Sequence, residues 1–212
     1  MIGLLGGSFD PIHFGHIKPL FELSEIFNFE EIRLIPTYKS PANKSFLASA
    51  EHRYNMVSII SASNANNFSA DDIEIKNQGT SYTFETIKIL KKQLKREDLC
   101  LIMGLDVFLN IETWYNYRKI LSEVNIVVIN RPGFDLKNTE NMNFEIFSRI
   151  TSNKIDFLSG EKRQIFFHES SSCEISSTKI RHIIERGESL EGLIPGAIMS
   201  YIERHKIYME KI

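Results

Sequence analysis

Short apolar runs alternate with helical patterns along most of the chain, and this alternation constrains the fold more than any other feature. Helices between strands are typical of βαβ units, which build parallel sheets. We therefore predict an α/β fold, a single Rossmann-like, doubly wound parallel sheet with a small helical portion at the C-terminal end. The sequence predicts strands over 2–5, 31–35, 68–75, 99–103, 124–129 and 164–168, and helices over 14–27, 50–61, 83–95, 114–121, 180–186 and 195 to about 204.

Length and composition indicate a single globular domain. The chain has 212 residues, which is enough for one domain with a full core and short for two. Hydrophobic residues make up 42% of it and aromatic residues 11%, which excludes a disordered protein. We predict one domain over 1–212, within which the polar, weakly periodic stretch 134–163 is a candidate insertion with one helix near 143–150.

Charge, cysteines and the N-terminal segment bear on partners and location. The formal net charge of -2 favours neither a nucleic-acid-coating protein nor a membrane-surface protein. Cys100 and Cys173 are the two cysteines, and we predict free thiols in a reducing compartment. The N-terminal segment lacks the basic start of a signal peptide, and no apolar run approaches the roughly 20 residues of a membrane span. We predict a cytoplasmic protein without nucleic-acid or membrane partners, and homo-oligomer formation stays open.

The segment between the first predicted strand and the first predicted helix carries the strongest chemical signal. It reads Gly6-Gly7-Ser8-Phe9-Asp10-Pro11-Ile12-His13-Phe14-Gly15-His16. A helix N-terminus offers free N–H groups and a partial positive charge, so such a handover suits phosphate. The segment contains neither a Gly-x-Gly-x-x-Gly fingerprint nor a Gly-Lys-Ser/Thr P-loop.

His13 and His16 are three residues apart, so they share one face of the helix if it begins by His13. Three interpretations compete for the pair. Metal ligation lacks a third ligand at a recognisable spacing, and structural capping or packing is the second interpretation. Phosphate contact is favoured by Gly6-Gly7, because missing side chains let a ligand approach the backbone. Either ring can donate an N–H bond to phosphate if its tautomer suits.

A second helix start lies further along the chain and reads Ile175-Ser176-Ser177-Thr178-Lys179-Ile180-Arg181. Its hydroxyls, its backbone amides and the guanidinium fork of Arg181 suit phosphate oxygens, although alone it could be a capped surface helix. The two segments, in this order and about 160 residues apart, resemble the two motifs of the His-x-x-His nucleotidyltransferase superfamily.

Three further segments resemble bacterial nicotinate-nucleotide adenylyltransferase. Ser81-Tyr82-Thr83-Phe84-Glu85-Thr86 is similar to the family's Ser-Tyr-Thr-x-x-Thr segment. Met103-Gly104-Leu105-Asp106, with Thr113-Trp114-Tyr115 following, is similar to its Ile-Gly-x-Asp and x-Trp-Tyr segments. Arg131-Pro132-Gly133-Phe134 is similar to its Arg-Pro-Gly segment, so the resemblance runs over 2–208.

The resemblance implies two substrate sites. The ATP site would contain Gly7, Ser8, Phe9, His13, His16, Gly104, Asp106, Arg131, Ile175, Ser176, Ser177, Thr178 and Arg181. The nicotinate mononucleotide site would contain Asp10, Thr37, Lys44, Tyr82, Thr83, Trp114 and Tyr115. His16, His13 and Arg181 would be catalytic, with His16 at the α-phosphate and His13 beside the β- and γ-phosphates. Mg²⁺ would accompany ATP, held mainly by phosphates and water, so no protein metal ligand is expected.

Two side chains in these sites have competing interpretations. Trp114 is either a core residue or an aromatic platform for the pyridine ring. Asp106 is either part of an ordinary turn or an acceptor for a ribose hydroxyl. Backbone amides near Thr83 and Tyr115 would bind the pyridine carboxylate and so select the acid over the amide.

The loop after the second strand departs from the family. The family pattern resembles Pro-Asn-x-x-Pro-Pro-His-Lys, whereas this chain has Thr37 for the Asn, Ser40 for the first Pro of the pair and Ala42 for the His. The lysine is shifted by one residue. Lys39 and Lys44 are therefore both candidates for contact with the mononucleotide phosphate.

The implied reaction joins ATP and nicotinate mononucleotide to give deamido-NAD and pyrophosphate. The attacking phosphate has a second pKa of about 6, so it is ionised near neutral pH and needs no general base. Three alternatives stay open: a preference for nicotinamide mononucleotide, another nucleotidyltransferase of the phosphopantetheine type, and a non-catalytic nucleotide sensor.

Overall fold

The computed structural model of the protein describes residues 1–42, 44–63, 67–130, 142–159, 163–171 and 175–209. Its strands are β1 (Ile2–Gly7), β2 (Glu31–Pro36), β3 (Phe68–Ala70), β4 (Leu99–Gly104), β5 (Asn125–Asn130), β6 (Ile150–Thr151) and β7 (Ile165–Glu169). Its helices are α1 (Phe14–Phe27), α2 (Ala50–Ala62), α3 (Ile73–Asn77), α4 (Thr83–Leu94), α5 (Leu105–Phe108), α6 (Tyr117–Glu123), α7 (Phe144–Phe147), α8 (Lys154–Ser159), α9 (Ser177–Glu185) and α10 (Gly196–His205), and a 3₁₀ turn spans Ile111–Thr113.

The seven strands form one parallel sheet in the order β3-β2-β1-β4-β5-β7-β6. Chain order runs outward from β1 to β3 on one side and from β4 to β5 on the other, where β7 then lies between β5 and the edge strand β6. The strand order therefore reverses between β1 and β4, and in sheets of this kind ligands bind in the crevice outside the strand ends at that point. The predicted doubly wound α/β fold is confirmed.

Two hydrophobic clusters cover the two faces of the sheet. Strand β4 shows how the chain supplies both, since Cys100 and Ile102 belong to the first cluster and Leu99, Leu101 and Met103 to the second. Successive side chains of a strand point to opposite faces, so a strand buried on both sides reads as a continuous apolar run. The first cluster packs under α1, α2, α9 and α10, and the second under α4 and α6.

The predicted strand 68–75 is wrong in its second half. Strand β3 ends at Ala70, and α3 begins at Ile73. The Asp71 carboxylate accepts a hydrogen bond from the backbone N–H of Ile73 at 3.0 Å and forms an ion pair with Arg33 at 2.9 Å. These contacts turn the chain at Asp71, and the alternation that follows belongs to a short helix.

The predicted helix 114–121 begins three residues later than expected. Asn116 takes a left-handed conformation with φ 56°, and α6 starts at Tyr117. Trp114 therefore lies in the extended connection after the 3₁₀ turn, with φ -77° and ψ 143°. The structure thus places this aromatic side chain on a loop and not within a helix.

The candidate insertion 134–163 contributes to the sheet. The helix predicted near 143–150 spans only Phe144–Phe147, and β6 follows it and pairs in parallel with β7. Residues 134–141 and 160–162 lie outside the described part of the chain. The single-domain prediction stays a prediction.

Helix α9 begins at Ser177, three residues before the predicted start at 180. The side chain of Ser176 caps it by accepting the N–H of Lys179 at 3.2 Å. The Cys100 thiol is free and buried in β4, and Cys173 lies outside the described residues. None of the helices that the structure describes is long and apolar enough to span a membrane.

The close contact of β1 with its neighbours predicts a stability effect at Gly3. A Cβ atom there would lie 3.0 Å from Ile102 Cδ1 and 3.1 Å from Ile32 Cγ1. We expect Gly3→Val to lower the free energy of unfolding by about 1–3 kcal/mol, since it overpacks the core. Denaturant unfolding measures the change.

Gly196→Val is the matched control. A Cβ atom at Gly196 would meet no described atom within 4 Å, so this variant should shift stability by less than about 0.5 kcal/mol. Equal stability of Gly3→Val and wild type would contradict the packing of β1 described above.

Candidate active site

A cleft of about 1510 Å³ opens at the carboxyl ends of β1, β2, β4 and β5. It lies where the strand order reverses, which is the expected position of a ligand in this fold. The residues expected from the sequence that line it are Gly7, Ser8, Thr37, Lys44, Tyr82, Thr83, Gly104, Asp106, Trp114, Tyr115, His13, His16, Ile175, Ser176, Ser177 and Thr178.

Three expected site residues do not line the cleft, and a fourth is not described. Phe9 and Asp10 belong to the loop that joins β1 to α1 and have buried side chains, and Arg181 lies behind that loop. Arg131 lies outside the described residues. Lys44 lines the cleft and Lys39 does not, so the structure favours Lys44 between the two candidate lysines.

The two histidines are stacked at the start of α1. His13 is the N-cap residue and His16 is the third residue of the helix, with ring centroids 3.7 Å apart. The backbone N–H of His13 donates to Nδ1 of His16 at 3.3 Å. Nδ1 of His16 must therefore be unprotonated, so a neutral His16 carries its hydrogen on Nε2 and can donate from that atom.

Burial keeps both rings neutral. It lowers the pKa of His13 to about 2, with a further contribution from His16. Burial alone lowers the pKa of His16 to about 4. The pair therefore offers hydrogen bonds without net charge near neutral pH.

Gly15 makes room for this arrangement. A Cβ atom at Gly15 would lie 3.0 Å from Cε1 and from Nδ1 of His13, and 3.1 Å from the carbonyl oxygen of Ile175. Only a residue without a side chain lets the His13 ring and the chain before α9 approach so closely. Sequence reasoning included Gly15 in the motif and assigned it no role.

Three side-chain donors hold carbonyl oxygens of the loop between β1 and α1. Arg53, which is 1% exposed, donates from Nη1 to the carbonyl oxygen of Ser8 at 2.9 Å. Arg181 donates from Nη1 to the carbonyl oxygen of Asp10 at 2.7 Å. The Ser177 hydroxyl donates to the carbonyl oxygen of Pro11 at 3.0 Å. Three contacts, to the carbonyl oxygens of residues 8, 10 and 11, thus hold the loop from behind, and two of them come from α9.

Sequence reasoning missed Arg53, because nothing in the pattern of α2 separates it from an ordinary exposed arginine. Its guanidinium also lies 4.3 Å from the centre of the Phe46 ring, so it joins the loop after β1 to the loop after β2. Arg181 was expected on the triphosphate. The structure instead places its guanidinium on the Asp10 carbonyl and, at 3.3 Å, on the Thr178 hydroxyl.

Asp10 was expected to contact the mononucleotide, and the structure shows its carboxylate occupied by the protein. Asp10 is 3% exposed. Its Oδ1 accepts from the N–H of Ala48 at 3.0 Å and from the Tyr208 hydroxyl at 2.7 Å, and its Oδ2 accepts from the N–H of Leu47 at 2.9 Å. Asp10 therefore ties three segments together: the first loop, the loop after β2 and the chain after α10.

The Phe9 ring packs against the ring of His16. Its side chain is fully buried, and its ring meets the His16 ring edge-on at 5.3 Å between centroids. Its backbone φ is 47°, a conformation that non-glycine residues adopt rarely. A Cβ atom at Gly7 would lie 3.1 Å from the Phe9 ring, so this glycine lets the ring lie under the loop.

One end of the cleft carries polar groups suited to a nucleoside. Gly104 ends β4, and a Cβ atom there would lie 2.7 Å from Oδ1 of Asp106. The glycine therefore lets the exposed Asp106 carboxylate lie over the backbone. Asn130, at the end of neighbouring β5, also lines the cleft and was missed by sequence reasoning.

The other end of the cleft is aromatic. Tyr82 and Tyr115 have ring centroids 5.0 Å apart, and Trp114 is partly buried against the second hydrophobic cluster while it lines the cleft. Trp114 thus both packs against the core and faces the cavity. Glu74 lines this end too, and burial raises the pKa of its carboxyl group.

A family model and named relatives match most of the chain. The cytidylyltransferase-like family model matches residues 4–183. The chain is 32% identical over 208 residues to a protein of Methylococcus capsulatus named "Probable nicotinate-nucleotide adenylyltransferase", covering 98% of this chain and 99% of the relative. A protein of the same name from Pseudomonas syringae pv. tomato is 33% identical, with 98% and 93% covered.

Solved structures share the fold. The nicotinic acid mononucleotide adenylyltransferase of Plasmodium falciparum complexed with NaAD superposes with a TM-score of 0.74 at 20% identity, covering 98% of this chain and 96% of that chain. The same enzyme complexed with APC gives a TM-score of 0.71 at 19% identity. At these identities the likeness supports the fold.

The burial of the histidine pair predicts its pH behaviour. The unfolded chain protonates each ring below its ordinary pKa of about 6.5, whereas the folded rings stay neutral to lower pH. The unfolded state therefore binds more protons, and the free energy of unfolding should fall as the pH decreases from about 6.5.

Nuclear magnetic resonance tests this directly. The ring signals of His13 and His16, assigned through His13→Gln and His16→Gln, should not shift between about pH 7.5 and 5.5. A titration midpoint between about pH 6 and 7 at either ring would contradict the burial described here.

Proposed function

The chain belongs to the cytidylyltransferase-like family, and because its relatives are named nicotinate-nucleotide adenylyltransferases, we propose that its cleft joins ATP to nicotinate mononucleotide. It is a nucleotidyltransferase of NAD biosynthesis, and its products are deamido-NAD and pyrophosphate. The observation that carries this proposal is the stacked, neutral histidine pair at the start of α1, joined through one loop to the hydroxyl-rich start of α9.

The reaction forms one P–O bond and breaks another. A phosphate oxygen of the mononucleotide attacks the α-phosphorus of ATP in line, and the bond to the β-phosphate oxygen breaks as pyrophosphate leaves. The attacking phosphate is largely a dianion near neutral pH, since its second pKa is about 6. The neutral histidines therefore act as hydrogen-bond donors, and positioning and charge stabilisation supply the catalysis.

His16 is assigned to the α-phosphate because its Nε2–H is its available donor. Charge builds on the non-bridging oxygens in the transition state, and a preorganised donor there lowers the barrier. His13 is assigned beside the β- and γ-phosphates. Stacking on its partner and the Gly15 backbone fix the ring orientation before substrate binds.

The start of α9 is assigned to the leaving pyrophosphate. Its first N–H groups lack partners within the helix and point toward an anion. The Ser176 hydroxyl accepts the N–H of Lys179 and keeps its own hydrogen to donate, and the Thr178 hydroxyl also lines the cleft. Arg181 is a positioning residue for the start of α9, since its guanidinium binds both the Asp10 carbonyl and the Thr178 hydroxyl.

Mg²⁺ is proposed as the companion of ATP. Among the described residues no three His, Cys, Asp or Glu side chains cluster as metal ligands, and the Asp10 carboxylate already accepts three hydrogen bonds. The phosphate-facing side chains of the cleft are donors, which fits a metal held mainly by phosphate oxygens and water. When bound, the ion neutralises charge on the triphosphate.

The aromatic end of the cleft is assigned to nicotinate mononucleotide. Trp114 would stack on the pyridine ring, with Tyr82 and Tyr115 beside it. Backbone amides at Thr83 and Tyr115 would bind the carboxylate, and Lys44 with Thr37 would hold the phosphate. The cytoplasmic location stays a prediction from the sequence.

Pyrophosphate release tests the proposed function. With ATP and Mg²⁺, we expect a kcat/KM for nicotinate mononucleotide at least about tenfold above that for nicotinamide mononucleotide, because the amide cannot satisfy two N–H donors as a carboxylate does. A reversed ratio would indicate the amide as substrate. Release only with phosphopantetheine would indicate the second alternative, and no release with any mononucleotide would indicate a sensor.

Replacement of His16 tests its assignment. We expect His16→Ala to fold normally and to lose turnover on the order of 10²–10³-fold, as when one preorganised donor is removed. His182→Ala is the matched control, because His182 is exposed on α9 and its ring contacts Glu185. Near wild-type turnover of His16→Ala would refute the assignment to the α-phosphate.

A further inference from the structure

Asn130 occupies a position that the proposed reaction has not used. It is the last residue of β5, and its neighbour Ile129 pairs with Gly104 of β4. Its side chain therefore lies at the carboxyl edge of the sheet, next to the glycine and Asp106 at the nucleoside end of the cleft. The residue is 6% exposed and still lines the cavity.

The Asn130 side chain has an unused acceptor. Its backbone carbonyl accepts the N–H of Ser170 at 3.0 Å, but its buried Oδ1 finds no hydrogen-bond partner among the described residues. A buried amide oxygen without a partner lowers stability, so native proteins rarely keep one without a reason.

A second buried asparagine on the same strand has hydrogen-bond partners for both polar atoms of its side chain. Asn125, at the opposite end of β5, is 4% exposed. Its Nδ2 donates to the carbonyl oxygen of Phe157 at 3.0 Å, and its Oδ1 accepts from the N–H of Gln164 at 3.0 Å. Of the two, the asparagine that lines the cleft is the one whose oxygen is unpaired within the described part of the chain, so a ligand in the cleft that supplies a donor would satisfy it.

The ribose and the base of a nucleotide offer different hydrogen-bond donors, and this difference indicates which of them Asn130 contacts. We assign the ribose hydroxyls to Asp106, which is exposed at the cavity. The deeper, buried position of Asn130 suits a flat base whose edge carries an N–H group. Adenine carries an amino group at C6, whereas hypoxanthine carries a carbonyl oxygen there, which would face another acceptor.

We propose that Oδ1 of Asn130 accepts a hydrogen bond from the 6-amino group of adenine and so selects amino bases over keto bases. This assignment rests on the proposed function, since it takes ATP as the nucleotide. Asn130 would then discriminate between nucleotides without contact to the reacting phosphates. Replacement of Asn130 should weaken the binding of ATP more than it weakens the binding of a nucleotide that lacks the amino group.

Nucleotide binding measured by calorimetry tests the proposal with three ligands. They are ATP, purine riboside triphosphate, which lacks only the 6-amino group, and inosine triphosphate. Wild type should bind ATP about tenfold or more tightly than either analogue. In Asn130→Ala the ratio of the ATP and purine riboside triphosphate affinities should fall toward one.

Two further variants separate this role from a structural one. Asn130→Leu keeps a similar volume without polar atoms and should lose the same discrimination, so the test survives if the alanine variant is unstable. Asn55→Ala removes an amide from α2, where its side chain donates to Tyr201, and should keep the wild-type ratio. Equal binding of the three nucleotides by wild type, or an unchanged ratio in both Asn130 variants, would overturn the proposal.

Pyrophosphate assays on the same samples keep the two conclusions apart. Loss of base discrimination in the variants, with no turnover of nicotinate mononucleotide by wild type, would support Asn130 and reject the proposed reaction. Turnover of nicotinate mononucleotide by wild type, with an unchanged ratio of nucleotide affinities in the variants, would support the proposed reaction and reject the role of Asn130.

Discussion

The loop between β1 and α1 depends on three side-chain donors that hold its carbonyl oxygens from behind. Arg53, Arg181 and Ser177 bind three carbonyls of 8–11, and the rest of the cleft is arranged around the shape they maintain. Each backbone carbonyl in a buried turn needs a partner, and a charged donor gives a stronger bond than a neutral one. Because two of the three donors lie on α9, the contacts that shape the first loop also position the start of α9, which lines the same cleft.

Neutral histidines line the cleft at the start of α1, and two arginines lie behind the loop that precedes this helix. The histidines are desolvated and uncharged, while the nearest cations bind the backbone and Asp10. In the proposed reaction, preorganised N–H and O–H groups add stabilisation where charge increases, beside the Mg²⁺ that accompanies ATP.

The alternation of apolar runs and helices was sufficient to predict the fold, because strands buried on both faces leave a continuous apolar signal. It failed at 68–75, where one carboxylate at Asp71 starts a turn within an alternating pattern. The motifs contain most of the expected residues that line the cleft, but they do not reveal the partners of the Asp10 carboxylate. Those partners, Leu47, Ala48 and Tyr208, are 37 to 198 positions away in the sequence. Arg53 and Asn130 carry no motif, and only their burial reveals them.

The hydrogen bond between Tyr208 and Asp10 also has a consequence for folding. It joins residues that are 198 positions apart in the sequence. Closing so long a loop costs more chain entropy than closing a short one, so contacts of this kind slow folding. The final shape of the first loop therefore depends on the docking of the segment after α10, and a change confined to that distant segment can disturb the loop between β1 and α1.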